Sequence, residues 1–553
     1  MKRLPIGISD FKKLIKGDYY YVDKTLLIKE LLEQGAETVL LPRPRRFGKT
    51  LNLSMLYYFF SNTEKDSELF ANTAISQHSD HMTEQGQYPV IFLTFKDIKE
   101  KTWNGAHKKI AEIIAQLFEK HKNILEKILT DRDLEEYNAI LHQTSSSFDL
   151  KSSLKFLSDL LYRHYKKRII FLLDEYDTPI QTAFINGYYQ EMVNFIHILL
   201  NSILKDYNHL ERGFLTGVLD LPKSDMLSGL LNNLRAESIL DDGYSDTFGF
   251  TQSEVDSLLV EYKLENQSQS IKEWYNGYLF GETAIYNPWS LIHCIHNNGK
   301  LEPYWDNARD QAEKDFIKKV ILHASTYTQE LLEFFMHGEK INAEITLYFS
   351  LPDKATLNIL FFMGYLASSK TELIMGRHMC DLIIPNKEVR IIYEQLLREF
   401  LSEPLSQKSL NRLEQALIEG DDIIFEKILC EYVMNSTSTF DLPANQSEKC
   451  YHLFILGLLV TLSHTYEVRS NRESGYGRYD IMLFPKDITK RGIIFEFKRT
   501  DKNEDLAEMA QDALDQINKK KYATELRSRG VQAITAFGIA FRGKEMVLKF
   551  ISL

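Results

Sequence analysis

Cysteine is scarce in this chain: four residues in 553, Cys294, Cys380, Cys430 and Cys450, stand far apart with no C-x-x-C spacing. That distribution excludes a disulfide framework and a zinc ribbon, and a reducing cytoplasm is the expected compartment. Long apolar runs are missing too. The most apolar stretch, FILGLLVTL at 454–462, is far shorter than the ~20 residues that cross a bilayer and reads as a buried helix. The N-terminus, MKRLPIGISDFKKLIKG, carries charge without a continuous apolar segment behind it, so neither a secretory signal nor a membrane partner is expected. Positive charge is in deficit, with a net charge of −11, and any nucleic-acid partner must therefore meet a local basic surface. Repeats, low-complexity tracts and Pro/Gly-rich linkers are also lacking, so composition leaves the domain boundaries unmarked.

What is present is ordinary for a folded chain: 44% hydrophobic, 26% charged and 12% aromatic residues. A length of 553 exceeds the roughly 250–300 residues at which one core stops growing, so several domains are expected. Three kinds of pattern follow each other. Residues 1–235 alternate apolar runs (TVLLP, VIFLTF, IIFLLD, GFLTGVL) with helical stretches, the rhythm of a parallel α/β sheet. Residues 236–400 turn mostly helical, with one expected hairpin, TELIMG and HMCDLIIPN, behind the helix ATLNILFFMGYLA, an order resembling a winged helix. Residues 401–553 contain the strand-like runs RYDIMLF, GIIFEFK and ITAFGIAF, with the helix DLAEMAQDALDQINKKKYA before the third, and read as a smaller α/β domain.

The stretch PRPRRFGKT at 42–50 matches three of the four fixed positions of a phosphate loop, G-x-x-x-x-G-K-[ST], with Arg43 where the first glycine is expected. A strand-like run precedes it and a helix follows, as the chemistry requires. Gly48 permits close backbone approach to phosphates, Lys49 reaches the β/γ-phosphates, and Thr50 offers its hydroxyl to Mg²⁺ at a helix N-terminus that favours anions. The nucleotide-binding set expected here is Arg45, Arg46, Phe47, Gly48, Lys49, Thr50 and Leu51. Arg43 is expected only to shape the turn. The second half of the site is IIFLLDEYD, where Asp174 is the metal carboxylate and Glu175 the base that polarises water. Thr216, in the strand FLTGVL, lies at a sensor position, its alternative being a buried strand threonine. Arg212 and Arg235 lie near these motifs, and nothing in their context selects either as an arginine finger.

In GYGRYDIMLF and RGIIFEFKRT, Asp480 opens one strand while Glu496 and Lys498 sit two apart on the next and share a face. Two carboxylates able to hold Mg²⁺, with Mn²⁺ as a substitute, and a cation to position hydroxide form the set a phosphodiesterase needs. As bare letters they read first as solvated strand charges, and only their context favours a site.

GISDFKKLIKGDYYYVDKTLLIKELL, LPRPRRFGKTLNLSML, FLLDEYDTPI, LTGVL, SGLLNNL, WYNGYLFGETAIYNPWSL and IPNKEVR together resemble the bacterial AAA-ATPase-like proteins that carry a C-terminal PD-(D/E)XK nuclease domain. The resemblance implies an AAA-like P-loop ATPase domain, a helical or winged-helix middle and a restriction-endonuclease-like C-terminal domain. It implies that Glu448 is a further metal-binding acid, that Gln516 supports the catalytic set, and that Asp23 and Lys24 lie near the nucleotide. The degenerate position of Arg43 becomes expected, and Asp220 stands where the family often has arginine. The implied function is ATP-dependent control of a nuclease acting on DNA or RNA, in a chain that can form homo-oligomers. The alternative is a nucleotide-dependent switch or scaffold whose C-terminal domain binds without cleaving.

Overall fold

Each apolar run of the N-terminal half forms a strand: β1 (Thr38–Pro42), β2 (Val90–Thr94), β3 (Ile169–Asp174) and β4 (Leu210–Gly217), with a short β5 (Leu234–Ala236) at the edge. All neighbours are parallel, in the order β2-β3-β4-β1-β5. β1 and β3 are buried along their whole length, which is why they read as unbroken apolar runs rather than alternations. Helix α1 (Lys49–Phe60) leaves β1 through the loop and stacks Phe60 on Phe214. Helices α2 (Trp103–Leu125) and α3 (Ser147–Tyr165) precede β3, and α4 (Thr178–Asn186) and α5 (Tyr189–Leu204) follow it. Ile110, Phe118, Leu157 and Leu199 from these helices join Ile91, Phe171 and Leu215 of the sheet in one core.

The computed structural model describes residues 1–144, 147–205, 207–219, 234–305, 311–322, 335, 338–346, 355–402, 407–436, 462, 465–470, 473–474, 477–500, 504–542 and 545–553. They divide into two compact units, Met1–Leu331 with Gly338–Arg390, and Leu332–His337 with Ile391–Leu553. Asp220, the motif SGLLNNL up to position 233, Glu448 and all of FILGLLVTL except Leu462 lie outside the described residues.

Beyond the parallel sheet, the first unit adds a small hairpin of β6 (Tyr278–Phe280) and β7 (Thr283–Ile285), then α6 (Pro288–His296). The hairpin expected behind ATLNILFFMGYLA is present: α7 (Ala355–Phe362) leads into β9 (Ala367–Ile374) and β10 (Arg377–Ile383). A third strand, β8 (Ile341–Ile345), pairs antiparallel with β10. Its sequence, INAEI, is too short and polar to announce itself. Helix α8 (Lys387–Ser402) follows.

In the second unit, α9 (Gln407–Glu419) and α10 (Asp422–Ser436) precede a five-stranded sheet of β11 (Tyr466–Ser470), β12 (Ile481–Pro485), β13 (Gly492–Arg499), β14 (Ile534–Arg542) and β15 (Glu545–Ser552), paired in that order. Only β13 and β14 are parallel, joined by the crossover helix α11 (Leu506–Lys520). Phe495 and Phe497 point away from α11, into a core with Phe425 and Phe537. Gly538 sets the closeness of α11. A Cβ there would stand 2.3 Å from the Ala510 carbonyl oxygen, and Gly538 is the register partner of Glu496.

Candidate active sites

The loop of residues 43–48 turns through two left-handed positions, Arg46 (φ 67°) and Gly48 (φ 86°), and delivers Lys49 and Thr50 to the start of α1. Pairing through β4 brings β3 alongside, so that Thr50 Oγ1 donates to Asp174 Oδ2 at 2.7 Å. Thr216 Oγ1 donates to the other oxygen of Asp174 at 2.9 Å. The carboxylate is thus oriented from both sides, although burial raises its pKa above the ordinary range. Thr216 is buried, and its hydroxyl is committed to Asp174 at the end of the neighbouring strand.

Lys49 is buried, and its Nζ donates to the carbonyls of Arg43 and Pro44, both at 2.9 Å. Burial lowers its pKa, opposed by Glu175, Asp177 and Asp174. Glu175 adopts φ 51°, turning the chain off the strand end, and accepts from Thr178 Oγ1 at 3.1 Å. A cavity of about 460 Å³ opens over the loop, lined by Arg45, Arg46, Phe47, Gly48, Lys49, Thr50 and Leu51 together with Glu175. Its other walls are Ile8, Tyr20, Tyr21 and Lys24 of the N-terminal segment, with Phe250 and Trp289. Lys24 is held by Asp246 O and by both oxygens of Glu254, while Asp23 caps Thr25 and accepts from the Ala74 N–H at 2.6 Å. Asp23 therefore braces the segment that carries Lys24.

Arg43 departs most from expectation. It is fully buried, with Nη1 donating to Pro42 O (2.9 Å) and Glu237 O (2.7 Å), and Nη2 to Gly243 O and Tyr244 O (both 3.3 Å). Its guanidinium lies over Phe248 and Phe280, and burial lowers its pKa to about 10. Arg43 anchors the loop to residues 237–248 and does more than shape a turn. Arg212 is engaged by the carbonyls of Leu32, Gln34 and Ala36, and Arg235 by Glu237. A pair that sequence reasoning passed over is Asp177 and Gln181, both buried; the i, i+4 spacing at a helix start was the available signal.

In the second unit, Asp480, Glu496, Lys498 and Gln516 converge. Asp480 Oδ2 accepts from the Phe497 N–H at 2.7 Å, which pins it beside β13. The Gln516 amide bridges its neighbours: its oxygen accepts from Lys498 Nζ at 2.6 Å, and its nitrogen donates to Glu496 Oε1. Glu496 Oε2 is buried with no hydrogen-bond partner among the described residues. Burial and then the charge of Asp480 raise the Glu496 pKa to about 8. A buried, unpartnered carboxylate oxygen beside a second acid suits a divalent cation, and Mg²⁺ commonly takes one or two carboxylates and leaves the rest to water and phosphate. Among the described residues no group of three His, Cys, Asp or Glu gathers to hold a metal, and Glu448 is not one of them. Lys519 and Lys520 occupy the last turn of α11.

Residues 5–227 match the family model described as "Predicted AAA-ATPase", and residues 446–551 match the model of the PD-(D/E)XK nuclease superfamily. Over its full length the chain is 28% identical to a protein of Azotobacter chroococcum mcd 1 described as an uncharacterized protein in vnfD 5'region, covering 98% of that relative. No helix among the described residues is long and apolar enough to cross a membrane.

Proposed function

We propose that this chain, in which an AAA-ATPase-like domain is joined to a PD-(D/E)XK nuclease superfamily domain, hydrolyses ATP at the first site and nucleic-acid phosphodiesters at the second, with the first controlling the second. The observation that carries the nuclease reading is the Gln516 bridge. It holds Glu496 and Lys498 in one constellation with Asp480 while leaving one buried carboxylate oxygen uncommitted. A pure binding module has no use for a carboxylate in that state, because an unpartnered buried acid is destabilising.

At the ATP site, the loop amides and Lys49 receive the phosphates, and the lysine exchanges its two carbonyl partners for phosphate oxygens. Thr50 and Asp174 would hold Mg²⁺ between them, and Glu175 accepts the proton of the attacking water. The aromatic walls at Tyr20, Phe250 and Trp289 suit a purine base. At the nuclease site, Asp480 and Glu496 would hold Mg²⁺ or Mn²⁺, which supplies charge neutralisation at the scissile phosphate and acidifies its water. Lys498, oriented by Gln516, positions the hydroxide. Lys519 and Lys520 supply backbone attraction without base readout.

The test is digestion of single- and double-stranded DNA and RNA with Mg²⁺ or Mn²⁺, with and without ATP. Asp480→Ala, Glu496→Ala and Lys498→Ala should each abolish cleavage and leave binding of an ATP analogue unchanged. Wild-type protein that binds nucleic acid but cuts none of the substrates would establish the switch or scaffold reading instead.

A further inference from the structure

A sheet edge can pair with another chain, because one row of its backbone N–H and C=O groups has no strand beside it. Two of the edges in this protein are protected. β9 is bulged, its register with β10 shifting between Cys380 and Leu382. β11 carries Glu467 and Arg469, which are tied to each other and to Arg529 and Glu525. β15 has neither device. It pairs with β14 in unbroken register from Arg542↔Glu545 to Thr535↔Ser552, it contains no proline, and among the described residues no strand lies on its outer side. Phe550 and Ile551 are 40% and 43% exposed, so this edge reaches solvent.

The direction of the outer backbone groups follows from the sheet. The Leu553 N–H donates to Ile534 O at 2.8 Å, and hydrogen-bonded and non-hydrogen-bonded pairs alternate along an antiparallel ladder. Odd-numbered residues of β15 therefore bond to β14, while Met546, Leu548 and Phe550 turn their N–H and C=O outward. Along this edge run Glu545, Met546, Val547, Leu548 and Lys549, three apolar residues between charges of opposite sign. Such a segment is complementary to itself. Antiparallel pairing of two copies about Val547 sets Met546 of each opposite Leu548 of the other in hydrogen-bonded pairs. It also sets each Glu545 opposite a Lys549 in a non-hydrogen-bonded pair, where side chains approach most closely. Shifting the centre by one residue to either side removes both charge pairs, and centring on Lys549 sets lysine against lysine. Glu545 meets Arg542 at 2.6 Å and remains 63% exposed, and a carboxylate has acceptor sites for a second cation. Lys549 Nζ donates to the neutral amide of Gln511 at 3.4 Å.

We propose that two copies of this chain pair edge to edge through β15, antiparallel and centred on Val547, in a two-fold dimer that joins their two five-stranded sheets into one. The interface is isologous, the same five residues serving on both sides. Its register is set by the reciprocal Glu545–Lys549 pairs, and the apolar residues between them continue each sheet into the next. The pairing is independent of both proposed activities, and the resulting particle carries two nuclease superfamily domains.

The experiment is sedimentation equilibrium of the full-length chain over a range of concentrations, on wild type, Glu545→Lys, Lys549→Glu, the double variant with both changes, and an equimolar mixture of the two single variants. Wild type should pass reversibly from monomer to dimer as concentration rises. Each single variant sets like charges opposite one another twice per dimer and should raise the dissociation constant by about tenfold or more. The double variant and the mixture both restore opposite charges at each position, so both should associate as wild type does; recovery in the mixture also shows that the single variants are folded. Hydrogen exchange gives a second reading: the Met546 and Leu548 amides should be protected in the dimer and exchange faster on dilution. A wild type that stays monomeric throughout would overturn the proposal and leave this edge to a strand of some other protein. A dimer indifferent to both single variants, or association that neither the double variant nor the mixture regains, would place the interface elsewhere and overturn it as well.

Discussion

At the scale of single residues, Arg43 and Lys49 are neighbours with opposite duties. Lys49→Ala removes the charge directed at the β/γ-phosphates and should cost most of the affinity for an ATP analogue, with little effect on stability. Arg43→Gly should do the reverse. It strands the carbonyls of Pro42, Glu237, Gly243 and Tyr244 and opens a cavity against Phe248 and Phe280. A loss on the order of 2–4 kcal/mol is expected, by analogy with buried charged hydrogen bonds and core truncations. Urea unfolding and calorimetry on both variants separate the two. An Arg43→Gly protein of wild-type stability would return Arg43 to the role of a simple turn residue.

At the scale of elements, α8 and α11 each make a testable contribution. Glu388, in the first turn of α8, is 1% exposed, accepts the Trp305 N–H at 2.8 Å, and has its pKa pushed up to about 8 by burial. Because the folded chain holds this proton more tightly than the unfolded one, the associated stability is fully present below the ordinary value of 4.5 and is lost as pH rises through about 8. Glu388→Gln keeps the acceptor and removes the titration, so its melting temperature should exceed that of wild type at pH 8.5 and approach it at pH 4.5; parallel melting curves across that range would contradict the assignment. Helix α11 reaches Glu496 because Gly538 carries no side chain. Gly538→Ala would place its methyl 2.3 Å from Ala510 O and 2.9 Å from Leu514 N, both backbone atoms, so the helix must move. Displacing Gln516 by the better part of an ångström should lower cleavage about 10²-fold, with binding of the ATP analogue unchanged; cleavage at the wild-type rate would mean that the Gln516 bridge is dispensable.

At the scale of the whole molecule, the two sites lie in separate compact units, so variants of one should leave the chemistry of the other intact. If nucleotide controls cleavage, ATP must bind the cleavage-competent and incompetent arrangements with different affinity, because equal affinity shifts nothing. Lys49→Ala should then cut nucleic acid at one fixed rate with or without ATP, whereas wild type responds to it. Wild-type cleavage indifferent to ATP would leave both sites standing and remove the coupling.

Local letters determined a good deal by themselves. The strands around PRPRRFGKT and IIFLLDEYD, the expected hairpin, and the side-by-side placement of Glu496 and Lys498 follow from apolar runs, glycine and period-two alternation, which act within a few residues. The tertiary structure alone decided what depends on partners far along the chain. Arg43 reads as a poor loop residue until carbonyls some two hundred positions away close on it. Thr216 reads equally as a sensor and as a buried strand threonine until the pairing of β3 with β4 sets its hydroxyl against Asp174. The Arg45–Gln181–Asp177 chain and the unpartnered oxygen of Glu496 exist only once strands and helices are stacked, because hydrogen-bond satisfaction is a property of the packed interior and not of the residue type.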